Sequence, residues 1–172
     1  MLEVKEKVVL SGDEIIVRIK NDLKIAGIKA TIRRSRGIIT NFAVTVKLGK
    51  NDLLGYDEYI EKYRIRECYG RITVGEGKDI WSEDFYKLPM DDREQITKAA
   101  AAYDYKYYIT EAKDGADLHN FEKGKLLTLS ALDMLERVKT IIQAYHYDDG
   151  DVMRDYFDTN FYYSIYIKAT GI

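Results

Sequence analysis

The run from Ser11 to Leu48 constrains the fold more than any other part of the chain. It opens with Ser11-Gly-Asp-Glu14, which has the spacing of a capping box at a helix N-terminus. Apolar residues then recur at helical spacing on one face: Ile15, Ile19 and Leu23. Gly27 stands where a helix C-terminus favours a residue that can adopt positive φ. This pattern predicts a helix over residues 12–25.

The residues after this helix alternate between apolar and polar types, which predicts a β-hairpin. The first strand covers residues 28–34, the second covers 38–48, and Ser35-Arg36-Gly37 between them has turn chemistry. The second strand places four apolar residues on one face: Phe42, Val44, Val46 and Leu48. We therefore expect one face of the hairpin to be buried under the helix and the other to be exposed.

Further elements follow along the chain. A short helix is predicted over 56–63 and a strand within 65–74, whereas residues 113–125 are polar and loop-like. Asp91-x-x-Glu94 has the spacing of a second capping box and predicts a helix toward Ile109. The apolar stripe of that helix would be Ile96, Ala99, Ala100, Tyr103 and Tyr107. A clearly amphipathic helix over 130–146 and an alternating strand over 160–168 complete the set.

These elements predict one α+β domain that spans residues 1–172. Its frame consists of 11–64 and 127–169, and residues 65–125 are a largely helical insertion carried by that frame. A small antiparallel sheet, made of the hairpin and the C-terminal strand, is expected to pack against the helices at 12–25 and 130–146.

Charge is distributed unevenly along the chain. The stretch from Arg18 to Lys50 holds nine Lys or Arg and one Asp, so it carries +8, while the chain as a whole carries −2. Arg33, Arg34 and Arg36 mark the hairpin tip, and Lys29 and Lys47 belong to its polar face. Such groups bind phosphates or the carboxylates of a protein. A charged edge that prevents strand aggregation is the alternative interpretation.

Tyrosine is unusually frequent, with 15 residues. Its apolar ring and polar tip suit half-buried surfaces and interfaces, although many of these residues will simply fill the core. In the C-terminal strand, Tyr162 and Tyr166 alternate with the apolar positions. The residues predicted to bind a partner are therefore Arg33, Arg34, Arg36, Lys47, Tyr162 and Tyr166.

An acidic segment follows the helix at 130–146. Its five carboxylates are Asp148, Asp149, Asp151, Asp155 and Asp158. Clustered carboxylates are what Mg²⁺ and Ca²⁺ prefer, but the spacing does not match an EF-hand loop. Turn formation and capping of a short helix explain the same residues, so we predict no metal and no other cofactor.

No motif for catalysis is present. Cys68 is the only cysteine, His119 and His146 are the only histidines, and neither histidine lies near Cys68 in sequence. The chain is predicted not to be an enzyme, and a metal-dependent nuclease on the acidic segment is the nearest enzymatic alternative. The single cysteine, the lack of a signal peptide and the lack of a membrane span predict a cytosolic protein, of a host cell or of a virus.

Three pieces of sequence resemble a known family. They are Leu23-Lys-Ile-Ala-Gly-Ile-Lys29 with the Thr31–Gly37 run after it, Ala144-Tyr-His-Tyr-Asp-Asp-Gly-Asp151, and Asp155-Tyr-Phe-Asp-Thr-Asn-Phe-Tyr162. Together they are similar to the large polyvalent protein-associated domain of type twenty-nine, which occurs on proteins of phages and conjugative elements. The resemblance covers about residues 11–48 and 127–169.

The resemblance implies a context rather than a chemistry. Such domains accompany proteins that blunt host defence during DNA entry, and small free-standing examples are similar to phage anti-CRISPR proteins. The implied function is non-enzymatic inhibition of a bacterial defence nuclease, most plausibly a Cas9-type effector, by binding the nuclease or its guide-RNA complex. The alternative is a nucleic-acid-binding accessory protein of a mobile element that uses the basic hairpin. The sequence does not define the oligomeric state.

Overall fold

The computed structural model describes residues 11–35, 40–74, 78–119, 121, 126–146 and 161–172. Its chain divides into two compact units. The first contains the described parts of residues 1–47 and 133–166, and the second contains those of residues 48–132 and 167–172. The predicted insertion, residues 65–125, therefore falls within the second unit.

Helices and strands are numbered in chain order. The helices are α1 (Gly12–Ile25), α2 (Tyr56–Lys62), α3 (Ser82–Lys87), α4 (Met90–Asp114) and α5 (Leu129–Gln143). The strands are β1 (Ala30–Ser35), β2 (Asn41–Leu48), β3 (Glu67–Cys68), β4 (Arg71–Thr73), β5 (Asp79–Trp81), β6 (Ala116–Asp117) and β7 (Tyr162–Ala169). They form one sheet in the order β1-β2-β7-β6 and a second in the order β3-β4-β5. The predicted α+β class is confirmed.

In the first unit, α1 begins and ends as predicted. The Glu14 N–H donates to Ser11 Oγ at 3.3 Å, and the Ser11 N–H donates to the Glu14 carboxylate at 2.8 Å. These two bonds complete the capping box. Gly27 follows the helix with φ +73°. The buried residues of α1 are the predicted ones: Ile15, Ile19 and Leu23.

The capping box makes the stability of α1 depend on pH. Hydrogen bonds from the Ser11 N–H and then from its hydroxyl lower the pKa of Glu14 below its ordinary value of 4.5. A carboxyl group with a lowered folded-state pKa stabilises the fold above its unfolded-state pKa, and this contribution is lost as pH falls through the folded-state pKa. Glu14→Gln is therefore expected to lower the urea midpoint slightly at neutral pH and not at all well below pH 4.5. Equal losses at both pH values would contradict this account, and Glu61→Gln on α2 is the control.

The hairpin of β1 and β2 is antiparallel. Its register runs from Ala30 opposite Val46 to Ser35 opposite Asn41. The buried residues of β2 are the predicted ones: Phe42, Val44, Val46 and Leu48. The rings of Phe42 and Phe161 lie 4.6 Å apart between centroids, and both side chains are buried. This aromatic pair is part of the core of the first unit.

The prediction of a wholly antiparallel sheet is wrong for β7, which runs parallel to β2. The Tyr162 N–H donates to the Thr40 carbonyl at 2.9 Å, and the Thr170 N–H donates to the Leu48 carbonyl at 2.8 Å. Both bonds join residues at the same separation in sequence, as parallel strands do. Parallel neighbours need a long crossover connection, and the chain between β2 and β7, which includes α5, supplies one.

The end of α5 is bonded to α1 within the first unit. The Tyr145 hydroxyl donates to the Asp22 carboxylate at 2.6 Å, and the Arg137 guanidinium donates to the Ala26 carbonyl at 3.2 Å. The buried residues of α5 recur at helical spacing, as expected of an amphipathic helix: Ala131, Leu135, Val138 and Ile142. Each of the two helices, α1 and α5, has one apolar stripe, as the predicted packing of two main helices against the sheet requires.

In the second unit, the capping box predicted at Asp91 and Glu94 is wrong. α4 begins at Met90, two residues before the start that a cap at Asp91 would give, and no side chain forms a cap hydrogen bond at Pro89. Asp91 instead lies in the first turn, where its negative charge interacts favourably with the positive end of the helix dipole. A Ser, Thr or Asp with Glu three positions later therefore does not define a cap unless the helix begins between them.

The buried side of α4 agrees with the predicted stripe at Ala100 and differs from it at the tyrosines. The residues of α4 that are buried are Ala100, Ala101 and Ala112. Tyr103 and Tyr107, which the pattern placed on the buried face, are exposed. Alanine permits close helix packing without producing a strong apolar face in the sequence pattern. The large side chains of Tyr103 and Tyr107 therefore dominated the pattern and indicated the wrong face.

Two other segments are more ordered than predicted. Residues 65–74 contain a hairpin, β3 and β4, where the sequence suggested one strand. Residues 113–125 contain β6 and the buried side chains of Leu118 and Phe121, where a polar loop was expected. None of the described helices has the length and apolar character needed to cross a bilayer.

Candidate functional site: the exposed face of the sheet

In the first unit, one face of the sheet is buried and the other is open to solvent. The second face is exposed or half-exposed at each described position: Thr31, Arg33, Asn41, Ala43, Thr45, Lys47, Tyr162, Ser164 and Tyr166. Small side chains of this face, such as those of Ala43 and Ser164, alternate with larger ones. We refer to the large side chains of this face, Lys29, Arg33, Lys47, Tyr162 and Tyr166, as the basic sheet face.

Two lysines face each other across the hairpin. The Lys47 N–H donates to the Lys29 carbonyl at 2.8 Å, one step beyond the pair of Ala30 and Val46. Both side chains are exposed, and the ion pairs found among the described residues include neither. Like charges directly opposite each other destabilise an antiparallel pair. An anionic partner would relieve this repulsion.

The tyrosines lie on the neighbouring strand. Tyr162 and Tyr166 share one face of β7, and four residues of strand separate them by about 13 Å. Tyr162 is 45% exposed and Tyr166 is half-buried, with the small Ser164 between them. Each ring can therefore provide a separate anchor for a partner. Tyrosine contributes large contact area at interfaces with little loss of side-chain freedom.

The structure separates Arg34 from this face. Arg34 lies opposite Phe42 on the core side of the hairpin, and its guanidinium donates to the Asp13 carboxylate at 3.2 Å. Its guanidinium carbon is also 3.3 Å from where a Cβ on Gly12 would lie, so Gly12 leaves room for it. Arg34 thus closes the sheet over the start of α1, whereas Arg33 points to the opposite side. Arg36 lies outside the described residues.

The predicted acidic segment also lies outside the described residues, including Asp148, Asp149, Asp151, Asp155 and Asp158. Within the part of the chain that is described, no group of three or more His, Cys, Asp or Glu could hold a metal ion. Cys68 is exposed on β3. The His146 ring packs against the ring of Phe161, with centroids 5.2 Å apart, which is a core contact.

A tyrosine cluster joins α2 to α4 in the second unit. The Tyr63 hydroxyl donates to the Asp104 carboxylate at 2.9 Å, and the Tyr59 and Tyr105 rings lie 5.3 Å apart. Burial, followed by the charge of Asp104, raises the pKa of both Tyr59 and Tyr63. The buried Tyr59 hydroxyl has no hydrogen-bond partner among the described residues. These tyrosines remain neutral, and their role here is to pack the two helices together.

The second unit also contains an apolar groove of about 660 Å³. Its lining residues are Leu54, Glu58, Lys62, Phe121, Leu127, Thr128, Leu129, Ser130 and Leu132. Glu58 and Lys62 pair with each other at 2.6 Å, so the groove presents no uncompensated charge from its lining. This leaves little that would orient a ligand.

Comparison of the chain with protein-family models, curated proteins and solved structures found no match. Function must be inferred from the site. The resemblance to the polyvalent protein-associated domain therefore stays a prediction. The basic sheet face brings together four of the residues that the sequence singled out: Arg33, Lys47, Tyr162 and Tyr166.

Lys29 is the main addition to the predicted set. Its alternation with Thr31 and Arg33 placed it on the polar face, but only the strand register shows that it lies opposite Lys47. The surroundings of Trp81 in the second unit were missed altogether. The signal there is a Tyr-Gly dipeptide between short strands, followed by the lone tryptophan and two acidic residues.

Proposed function

We propose that this protein acts by binding rather than by catalysis, and that it inhibits a bacterial defence nuclease by docking through the basic sheet face. The observation that supports the proposal is the facing pair Lys29 and Lys47 beside two separated tyrosines on a solvent-exposed sheet face. An exposed sheet face of this composition suits a macromolecule better than a small substrate, which needs a concave site.

The chemistry of the face defines what it can bind. Arg33 and the two lysines complement carboxylates or phosphates, and an arginine can make two parallel hydrogen bonds to either group. The half-exposed tyrosines add apolar contact, and Ala43 and Ser164 allow a partner to approach closely. A protein partner is favoured because the chain as a whole carries −2, whereas nucleic-acid-binding proteins are usually basic overall.

The identity of the partner rests on the sequence resemblance. Phage and mobile-element proteins encounter defence nucleases in the bacterial cytoplasm. If the protein has an anti-CRISPR role, its partner is a Cas9-type effector or the guide-RNA complex of that effector. Occupying an effector surface requires no reacting group on the inhibitor.

A cleavage assay tests this proposal. A purified Cas9-type effector with its guide RNA is mixed with increasing amounts of the protein before target DNA is added. We expect cleavage to fall in a saturable manner, and the inhibition to weaken as salt is raised because exposed charges are screened. Lys20→Glu with Lys24→Glu on α1 is the matched control, since both lysines are exposed away from the sheet. Full cleavage in the presence of excess protein would refute the inhibitor proposal.

Nucleic acid is the second candidate for the basic sheet face. Tyrosine rings on an open sheet can stack on bases while basic side chains contact phosphates. A gel-shift assay with free single-stranded oligonucleotide distinguishes this function from inhibition of the effector. A nucleic-acid-binding protein would retard the oligonucleotide on the gel. Retardation of the oligonucleotide without any binding to the effector would favour this second function.

A further inference from the structure

The second unit carries an exposed aromatic hairpin that the proposed function does not use. Tyr69 and Gly70 join β3 to β4, and both have positive φ, at +52° and +73°. Two-residue hairpin turns of this kind favour Asn and Gly. Here a tyrosine occupies the first position and its side chain is 98% exposed. A large aromatic side chain is therefore displayed where a smaller residue would suit the backbone.

A slot of about 410 Å³ lies beside this turn. Its lining residues are Gly70, Trp81, Ser82, Glu83 and Asp84. The Ser82 N–H donates to the Gly70 carbonyl at 2.9 Å, which holds the turn against the start of α3. A Cβ on Gly70 would lie 4.0 Å from the Trp81 ring. The slot thus has one aromatic wall and a fixed position relative to the hairpin.

The lining of the slot is negatively charged. It includes two exposed carboxylates, Glu83 and Asp84, and no cationic side chain. Asp84 lies 3.7 Å from the exposed Lys87 ammonium. Glu83 takes part in none of the ion pairs formed between described residues. An anionic group would be repelled here, and a cationic one would be attracted.

The Trp81 ring already binds one cation. The Arg71 guanidinium lies over it at 4.6 Å from the ring centroid, and Trp81 is 56% exposed. Arg71 is not among the residues that line the slot, whereas Trp81 is. Tryptophan is the aromatic side chain that attracts cations most strongly.

We propose that this slot receives a lysine or arginine side chain of a partner protein. The cation would lie against Trp81 and donate hydrogen bonds to the carboxylates of Glu83 and Asp84, and the exposed Tyr69 ring would contact the flanking residues of the partner. The combination of an aromatic wall with two carboxylates matches a flexible cationic side chain and opposes a phosphate or an acidic peptide. The inference is independent of the function proposed for the basic sheet face.

Trp81 provides the measurement, because it is the only tryptophan in the chain. The probe is a short oligoarginine peptide, titrated at low salt while tryptophan fluorescence is recorded. We expect a saturable change in the intact protein. The Glu83→Gln and Asp84→Asn double variant should bind the peptide about fivefold to tenfold more weakly. Asp57→Asn with Glu61→Gln, which removes the same charge from exposed positions on α2, should bind as the parent does.

Several outcomes would overturn the proposal. They are an unchanged signal with the peptide, an equal affinity in the slot variant and the parent, and a response to a single-stranded oligonucleotide in place of the peptide. A fluorescence change on dilution without any peptide would show that a second copy of the chain fills the slot. Circular dichroism of each variant confirms that loss of binding is not loss of fold.

Discussion

Reversing two charges of the basic sheet face, with Arg33→Glu and Lys47→Glu together, is expected to weaken the proposed inhibition of a defence nuclease by about a hundredfold. Each reversal removes an attraction and introduces a repulsion against an anionic partner surface. The measured quantity is the concentration of protein that halves target cleavage. Both side chains are exposed, so the effect acts on the association and not on the core.

The same substitution at residue 47 has an opposite effect on stability. Lys47→Glu places a carboxylate opposite Lys29, which replaces a like-charge pair with an opposite-charge pair across the hairpin. The free energy of unfolding should therefore rise by about 0.2–1 kcal/mol while inhibition is lost. A variant that is more stable but inhibits less would show that Lys47 contributes to binding and not to the stability of the fold.

The control for this experiment is the exposed pair on α1, Lys20→Glu with Lys24→Glu, which makes an equal change in net charge. It should retain nearly all of the inhibition. If both double variants lose inhibition equally, the overall charge of the protein matters and the basic sheet face has no special role. If neither loses it, docking uses another surface.

Replacing Phe42 with alanine is expected to lower the free energy of unfolding by about 3–5 kcal/mol. Phe42 is fully buried, and its ring lies 4.6 Å from that of Phe161. The substitution removes the transfer energy of the ring and leaves a cavity beside its partner. Urea unfolding followed by circular dichroism measures the loss. A typical domain has only about 5–15 kcal/mol of stability, so this is a large share of it.

Two further variants serve as controls for the prediction about Phe42. Phe42→Leu keeps most of the apolar volume and gives a measurable transition if the alanine variant does not fold. Thr45→Ala, on the open face of the same strand, should change stability by less than about 1 kcal/mol. A loss of less than about 1 kcal/mol for Phe42→Ala would show that this aromatic pair does not stabilise the first unit.

The sequence predicted those parts of the fold in which side-chain periodicity and local capping agree. The helix after Ser11 and the buried face of β2 follow from such patterns. The direction of β7 depends on the path of the intervening chain, about which alternation carries no information. The packing of α4 was predicted only at Ala100, because its other buried residues, Ala101 and Ala112, are too small to dominate a pattern.

The candidate site could be predicted in part for the same reason. Alternation alone places Arg33, Tyr162 and Tyr166 at polar positions of their strands. The facing of Lys29 and Lys47 requires the register, which depends on hydrogen bonds between strands. Alternation also assigns Arg34 to the side of Ile32, so treating the three arginines as one group neglected the period of a strand.

The position of β7 has a consequence for the synthesis of this chain. β7 fills an inner place in the sheet, between β2 and β6, yet it is translated long after the hairpin. At about 5–20 residues per second, the ribosome needs roughly 6–23 seconds to make the intervening stretch. Throughout that interval the nascent hairpin has an unpaired edge on β2 and an incompletely covered apolar face. Newly made chains should therefore depend on chaperones until the missing strand arrives.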